Sequence, residues 1–215
     1  AEPVDVDEEL RRVLPTVAAL AQRGVRVSID TSKPRVAREA IAAGATLVND
    51  VNGGLADGML ETVAAGGAAV ALMHRRGDPK TMQRDPRYDD VVAEVHGFLA
   101  ERERAARALG IGETWVDPGI GFGKTDDHHR ELLLALPELS ASHRVLLGVS
   151  RKGLLGRIAE TGPDPGERTE AGLAVAAHAV ACGVGMLRVH DVRATVRLVK
   201  TLAWLRREPS STRPV

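Results

Sequence analysis

Polar side chains that could hold a small ligand recur along the sequence, each time directly after a short aliphatic run. They are Asp30, Asn49 with Asp50, His74, Asp117, Ser150 to Lys152, and Arg188 with His190. Carboxylate and amide oxygens accept paired hydrogen bonds from a flat ligand that is rich in N–H donors. Lysine, arginine and histidine bind anions such as phosphate. The set predicts a site for a small polar ligand, and a heterocycle with a pyrophosphate tail would suit both halves of it.

The aliphatic runs before these residues are predicted to be strands, and helical patterns lie between them. The six predicted strands span residues 25–30, 46–51, 68–74, 114–117, 144–149 and 186–189. The predicted helices span residues 4–23, 33–43, 59–65, 89–109, 128–139, 154–160, 170–182 and 193–207. Strands that alternate with helices indicate a parallel sheet, whose ligand site lies at the C-terminal strand ends. A (β/α)₈ barrel and an open doubly wound sheet both fit this pattern.

Composition narrows the class of protein. The 215 residues are 44% hydrophobic, and 29 basic side chains balance 29 acidic ones, which argues against a nucleic-acid groove. The single cysteine, Cys182, allows no internal disulfide. No apolar run is long enough for a membrane span, and the acidic N-terminus does not resemble a signal peptide. We therefore expect a cytoplasmic protein without membrane or nucleic-acid partners, with one domain over residues 1–208 and a polar tail over 209–215.

Two local motifs resemble sites of other functions, but neither matches the residue pattern that such a site requires. The segment 119–125 (GIGFGKT) resembles a phosphate-binding loop, but Pro118 stands where a Walker motif needs its first glycine. Adjacent histidines, His128 and His129, would project in different directions from a helix. We expect a solvent-exposed helix start there rather than a zinc site.

Six segments resemble, in order and spacing, the successive motifs of the dihydropteroate synthase family. They are 27–31 (VSIDT), 48–54 (VNDVNGG), 72–83 (LMHRRGDPKTMQ), 116–124 (VDPGIGFGK), 147–152 (LGVSRK) and 188–192 (RVHDV). The resemblance implies a (β/α)₈ TIM barrel, of which this chain supplies six strands. It also implies a homodimeric, Mg²⁺-using enzyme that condenses 7,8-dihydropterin-6-methyl pyrophosphate with para-aminobenzoate.

The resemblance assigns roles to residues of this sequence. The pterin-binding set is Asp30, Asn49, Met73, Asp117, Phe122, Gly148, Lys152 and Arg188. The pyrophosphate would be bound by Arg188 and His190, and the catalytic group would comprise Lys152, Arg188 and His190.

The sequence departs from the family pattern in two places. The family's Mg²⁺-binding Asn and a Ser-Thr-Arg-Pro-Gly loop would precede Ala1, so we expect the first two strands and the metal ligand to lie outside this chain. Barrel-lining side chains such as Val27 and Leu187 would then be exposed at the gap. Gly153 stands where the family has a polar side chain near the aminobenzoate carboxylate.

Two alternative functions stay open from the sequence. One is a degenerate or truncated pterin-binding paralogue without synthase activity. The other is a methyltetrahydrofolate-dependent methyltransferase, which would need no pyrophosphate site and is therefore disfavoured by Lys152, Arg188 and His190.

Overall fold

The computed structural model describes residues 4–77 and 81–206 and contains all six predicted strands. Strands β1 (Val27–Asp30), β2 (Ala45–Asp50), β3 (Ala69–Met73) and β4 (Thr114–Asp117) form a parallel sheet in chain order. Strand β5 (Leu146–Leu147) pairs in parallel with β6 (Met186–Leu187), and a Val116–Val145 bridge links β4 to the chain just before β5. A doubly wound sheet would reverse its strand order at one point, whereas a barrel keeps chain order. The order β1 to β6 is therefore that of a barrel. Within the described ranges, β1 and β6 each pair on one side only.

Nine α-helices of the described chain accompany these strands. They are α1 (Val6–Ala21), α2 (Pro34–Ala42), α3 (Met59–Ala65), α4 (Val91–Ala108), α5 (Asp126–Leu134), α6 (Leu136–Ser142), α7 (Gly153–Ile158), α8 (Thr169–Ala181) and α9 (Val192–Leu205). A 3₁₀ turn, Pro165–Arg168, lies in the predicted loop before α8. No helix among residues 4–77 and 81–206 is long and apolar enough to span a bilayer. The predicted polar tail, 209–215, lies outside the described residues.

The single helix predicted over residues 128–139 is two helices, α5 and α6. Pro137 has no N–H, so it cannot donate to the carbonyl of Leu133 one turn earlier. The Nε2 of His178 on α8 donates to that carbonyl instead, at 2.8 Å. The break in the helix is therefore stabilised by a partner that is distant in sequence.

The two faces of the sheet bury different sets of side chains. On the outer face, Val48, Val70 and Leu72 pack among the helices together with Val27 and Ile29. On the inner face, a separate cluster has the buried members Leu47, Ala69, Ala71 and Leu146, with Trp115 and Met186 packed against it. The prediction that Val27 and Leu187 line the barrel is wrong. Val27 belongs to the outer cluster, and Leu187 packs against a second cluster, which includes Val116, Leu147 and Val149.

Candidate active site

The inner face of the sheet ends in one layer of predicted site residues. Successive strand side chains point to opposite faces, so the residues two positions beyond the inner cluster also point inward. This layer consists of Asp30, Asn49, Met73, Asp117, Gly148 and Arg188. Six segments that are far apart in sequence therefore contribute to one opening at the C-terminal strand ends, as the polar residues there predicted. We call this opening the mouth.

Two hydrogen-bond acceptors in this layer are buried and incompletely satisfied. Asn49 is 4% exposed, and its Oδ1 accepts no hydrogen bond from any described residue. Asp117 is 6% exposed, and its Oδ1 accepts the N–H of Gly119 at 2.7 Å. The other oxygen of Asp117, Oδ2, lies 3.8 Å from the position that a Cβ on Gly148 would occupy. Buried acceptors without donors are costly, so this pair is suited to a ligand that presents N–H groups.

Gly148 leaves the space between Asp117 and Arg188 open. A Cβ at this position would stand 3.8 Å from both the Arg188 Cβ and the Asp117 Oδ2, which is ordinary van der Waals contact. A side chain there would fit the fold but would fill the space beside the carboxylate. This position therefore favours a flat ligand at the mouth.

Lys152 places a cation beside Asp117. Burial raises the pKa of Asp117, and the positive charge of Lys152 is the largest influence that opposes this. Burial lowers the pKa of Lys152 to about 8, while the Asp117 carboxylate acts in the opposite direction. The Nζ of Lys152 donates to the carbonyl of Ile120 and lies 4.5 Å from the centroid of the Phe122 ring. Carboxylate, cation and aromatic face are thus held next to one another.

Arg188 and Asp30 form a salt bridge across the mouth. The Nη2 of Arg188, at the end of β6, donates to Oδ2 of Asp30, at the end of β1, at 2.6 Å. Their side chains are 61% and 44% exposed, so the pair lies at the solvent-facing rim. Both residues were predicted to bind the pterin, and the structure places them opposite each other at one edge of that site.

The backbone between Ser150 and Lys152 is unusual. Arg151 has φ of 60°, which is rare for a residue other than glycine. Its guanidinium pairs with Asp191 at 2.8 Å, and its carbonyl accepts a hydrogen bond from Arg168 at 2.9 Å. Such strain persists where the surroundings over-determine the conformation, and it often marks functional sites. Here the strained residue lies between Ser150 and Lys152, two of the polar residues predicted at the strand ends.

His190 contacts Ser150 rather than Arg188. The Ser150 hydroxyl oxygen accepts the His190 N–H at 3.2 Å and lies 3.2 Å from His190 Nδ1. His190 is exposed, and no hydrogen bond joins it to Arg188 in the described structure. The two predicted pyrophosphate ligands therefore share one end of the mouth without touching. Ser150 belongs to the polar strand-end set predicted from the sequence, although the family resemblance assigned it no role.

Three polar residues near the strand ends serve the fold instead. Asp50 is fully buried on the outer face, where it accepts the N–H groups of Asn52 and Gly54, each at 2.8 Å. His74 is buried and pairs with Lys124. The expectation of a solvent-exposed helix start is wrong for His129, which is 2% exposed and accepts the N–H of Gly121 at 2.8 Å.

The described residues do not form a metal site. No group of three His, Cys, Asp or Glu side chains in residues 4–77 and 81–206 could hold a metal ion. The carboxylate at the rim, Asp30, forms a salt bridge with Arg188, and Oδ1 of Asp117 accepts a hydrogen bond from the N–H of Gly119. The residues present thus do not fit Mg²⁺ by themselves.

Comparison with known proteins connects this geometry to a family. The model of the pterin binding enzymes matches residues 1–190. A dihydropteroate synthase of Escherichia coli K12 is 43% identical over 206 residues, which is 94% of this chain and 72% of that protein. The crystal structure of dihydropteroate synthase from Thermus thermophilus in complex with 6HMPPP superposes with a TM-score of 0.89 at 43% identity, covering 94% of this chain and 81% of that one. That of the Burkholderia cenocepacia enzyme complexed with 7,8-dihydropteroate has a TM-score of 0.89 at 44% identity, covering 96% and 77%.

The chain therefore belongs to the pterin-binding enzyme family. Within that family it groups with the dihydropteroate synthases, which are TIM-barrel transferases. The match confirms the fold class and the family that the sequence motifs predicted. It also removes the support for a methyltransferase.

Proposed function

We propose that this chain condenses 7,8-dihydropterin-6-methyl pyrophosphate with para-aminobenzoate, giving 7,8-dihydropteroate and pyrophosphate. The observation that carries the proposal is Asn49 Oδ1, a buried acceptor without a donor among the described residues, in the same layer as the Asp117 carboxylate, of which only Oδ1 accepts the Gly119 N–H. The amino-pyrimidine edge of a pterin supplies N–H donors for such acceptors. Relatives crystallised with 6HMPPP, 4-aminobenzoate and 7,8-dihydropteroate support the same substrates.

In this proposal the inner layer orients the pterin. Asn49 and Asp117 accept hydrogen bonds from the heterocycle, while Met73 and Phe122 line its faces and Gly148 leaves room for it. Asp30 and Arg188 lie at the open side of the site. When the ligand binds, Arg188 would leave Asp30 and contact the pterin and its phosphates instead. Orientation of this kind lowers the entropic barrier to a bimolecular reaction.

The reaction itself is a substitution at the methylene carbon of the pterin. The aminobenzoate nitrogen forms a bond to this carbon, the carbon–oxygen bond to pyrophosphate breaks, and the nitrogen loses a proton. Negative charge develops on the departing oxygen, so cations placed at that end of the mouth stabilise the transition state. Lys152, Arg188 and His190 are proposed for this role.

We further propose that Mg²⁺ accompanies the pyrophosphate. Because the described residues do not form a site for the ion, its protein ligand would come from outside them. A calorimetric titration of Mg²⁺ into the chain should therefore show no binding until pyrophosphate is added. Binding of the ion alone would contradict this part of the proposal.

A homodimer and a cytoplasmic location are also proposed. Helix α9 carries exposed apolar side chains that a second copy could cover, namely Val192, Val196, Val199, Trp204 and Leu205. Large exposed apolar patches mark interaction surfaces. Light scattering should give twice the chain mass, and Trp204→Arg should shift the sample towards monomer.

The cytoplasmic location is supported by the single cysteine and by the bacterial relatives.

The central test is release of pyrophosphate from both substrates in the presence of Mg²⁺. We expect release that depends on para-aminobenzoate, together with formation of dihydropteroate measured by chromatography. Asp117→Asn and Arg188→Ala should each reduce it. Binding of the pterin without any turnover would instead favour the degenerate paralogue.

A further inference from the structure

The loop after β4 is anchored from inside by a buried lysine. Lys124 is 2% exposed, and its Nζ lies 3.1 Å from the carbonyl oxygens of both Gly119 and Phe122. The third partner is Nδ1 of His74, at the end of β3, at 3.0 Å. A fourth acceptor, the carbonyl oxygen of His74, lies at 3.4 Å, so the three donors of an ammonium group all find partners here. Lys124 therefore ties its own loop to the neighbouring strand.

The chemistry of His74 is consistent with this role. Burial lowers the pKa of His74 to about 3, so the ring is neutral and can accept a hydrogen bond at Nδ1. Its ring also packs edge-on against Phe98, with centroids 5.1 Å apart. The lysine is thus held in a buried site, where its charge also interacts with those of Asp117 and Lys152.

The backbone of loop 119–123 packs closely against the residues at the end of β3. Gly119 and Gly123 have φ of +68° and +63°, which favours glycine. A Cβ on Gly119 would lie 1.8 Å from the His74 carbonyl oxygen, and one on Gly123 would lie 2.1 Å from that of Arg76. The loop backbone therefore lies directly against the end of the strand, where only glycine fits.

Three further side chains hold the same loop. The Nε2 of His129 accepts the N–H of Gly121 at 2.8 Å, the Tyr88 hydroxyl donates to the carbonyl of Gly123 at 2.9 Å, and Gln83 Nε2 donates to the carbonyl of Gly121 at 2.7 Å. Lys124 differs from these three because it binds two carbonyls of the loop at once. Its removal would leave the Phe122 carbonyl and His74 Nδ1 without this donor, whereas the Gly119 carbonyl would keep the N–H of Phe122 at 3.1 Å.

The anchored loop presents groups to the mouth. The ring of Phe122 lies 4.5 Å from Lys152 Nζ, and the carbonyl of Ile120 accepts a hydrogen bond from the same Nζ. The conformation of this loop therefore sets where the aromatic face and the Lys152 cation stand relative to Asp117.

We propose that Lys124 is a positioning residue, which holds loop 119–123 so that Phe122 and Lys152 are placed for the pterin before it binds. Lys124 itself does not touch the ligand. The inference rests on the proposed pterin site and adds to it the residue that pre-organises one wall. Pre-organisation improves affinity because less ordering is required on binding.

The test compares Lys124→Met with Lys200→Met, a change of the same type at an exposed position on α9. Calorimetry with 6-hydroxymethylpterin should show about tenfold weaker binding for Lys124→Met, the size expected for loss of one or two hydrogen bonds that place a contact. Lys200→Met should bind like the unchanged chain. In a Phe122→Ala background, the loss from Lys124→Met should shrink at least about threefold, because residues that act through each other are not additive. An equal loss in both backgrounds would overturn the proposal.

A second measurement avoids the risk that Lys124→Met fails to fold. In the unchanged chain without ligand, the amides of residues 119–123 should exchange with solvent as slowly as those of β4. Rapid exchange that slows only when pterin is added would contradict pre-organisation. If the unchanged chain binds no pterin, the proposed function fails. If it binds pterin and Lys124→Met binds equally well, only the present inference fails.

Discussion

Replacement of Asp117 by asparagine tests the acceptor half of the mouth at a single atom. The Oδ1 of Asp117 accepts the Gly119 N–H at 2.7 Å, and asparagine keeps an oxygen for that bond. The amide nitrogen then takes the place of Oδ2, next to Gly148. A ligand N–H that was accepted by a carboxylate oxygen would instead meet a donor.

The expected cost follows from the kind of bond that is lost. A hydrogen bond to a charged group contributes about 1.5–3 kcal/mol, and a buried donor left without an acceptor costs a similar amount. Because each 1.4 kcal/mol is a tenfold change in Kd, we expect binding of 6-hydroxymethylpterin to weaken by about 10- to 150-fold. Calorimetric titration measures this directly.

Asp50 supplies a matched control. It is also a buried carboxylate at a strand end, but it faces outward and both of its oxygens accept N–H groups of its own loop. Asp50→Asn should lower the free energy of unfolding by about 1–3 kcal/mol, because one of those N–H groups loses its acceptor. It should leave the affinity for pterin nearly unchanged.

The two substitutions are therefore expected to separate affinity from stability. Asp117→Asn keeps its loop hydrogen bond and should unfold at nearly the same denaturant concentration as the unchanged chain. Unchanged pterin affinity in Asp117→Asn would remove this residue from the site. Equal losses of affinity in both variants would show that the effect arises from the fold.

Three further predictions concern the rest of the mouth. Arg188→Ala and His190→Ala should each weaken binding of pyrophosphate more than that of free pterin, as measured by calorimetry with both ligands; equal losses would mean that they act through folding. Gly148→Ala should leave the melting temperature within a few degrees but weaken pterin binding, since a Cβ there makes only ordinary contacts in the empty site; tight pterin binding by this variant would refute the flat-ligand geometry. Because the pKa of Lys152 is about 8, its charge is lost as the pH rises through that value, and kcat/KM should fall on the alkaline side near pH 8. In Asp117→Asn this decline should move to lower pH, because the carboxylate that raises the Lys152 pKa is gone; an unmoved decline would assign it to another group.

The strands and the convergence of their polar ends were predictable from the sequence, because each strand is a short aliphatic run that ends in a polar residue. The facing of individual side chains also follows from the sequence, provided that it is taken from the polar end of each strand. If Asp30 points inward, alternation puts Ser28 inward and Val27 outward, and the structure has Val27 among the helices. The same alternation, taken from Arg188, puts Leu187 outward.

Contacts between distant segments were not predictable in this way. The Leu133 carbonyl finds its donor in His178, and Lys124 finds an acceptor in His74, each across 45 residues or more. Local periodicity contains no information about such partners. The burial of His129 has a different cause: the Gly121 N–H that it accepts is only eight residues away, but it belongs to a loop whose conformation helical periodicity does not describe.

Neighbouring residues in this fold show why burial alone does not identify a binding group. Asn49 and Asp50 are consecutive, and both are buried at the end of β2. Asp50 points to the helices, where two N–H groups of its own loop satisfy it, whereas Asn49 points into the mouth and its Oδ1 is left without a donor among the described residues. Asp117 combines the two situations, since one oxygen stabilises the loop and the other faces the space beside Gly148. The binding capacity of the mouth therefore resides in Asn49 Oδ1, which the fold buries without a donor from the described residues, and in the second oxygen of Asp117. A ligand that supplies a donor to Asn49 also removes a cost that the folded chain carries alone.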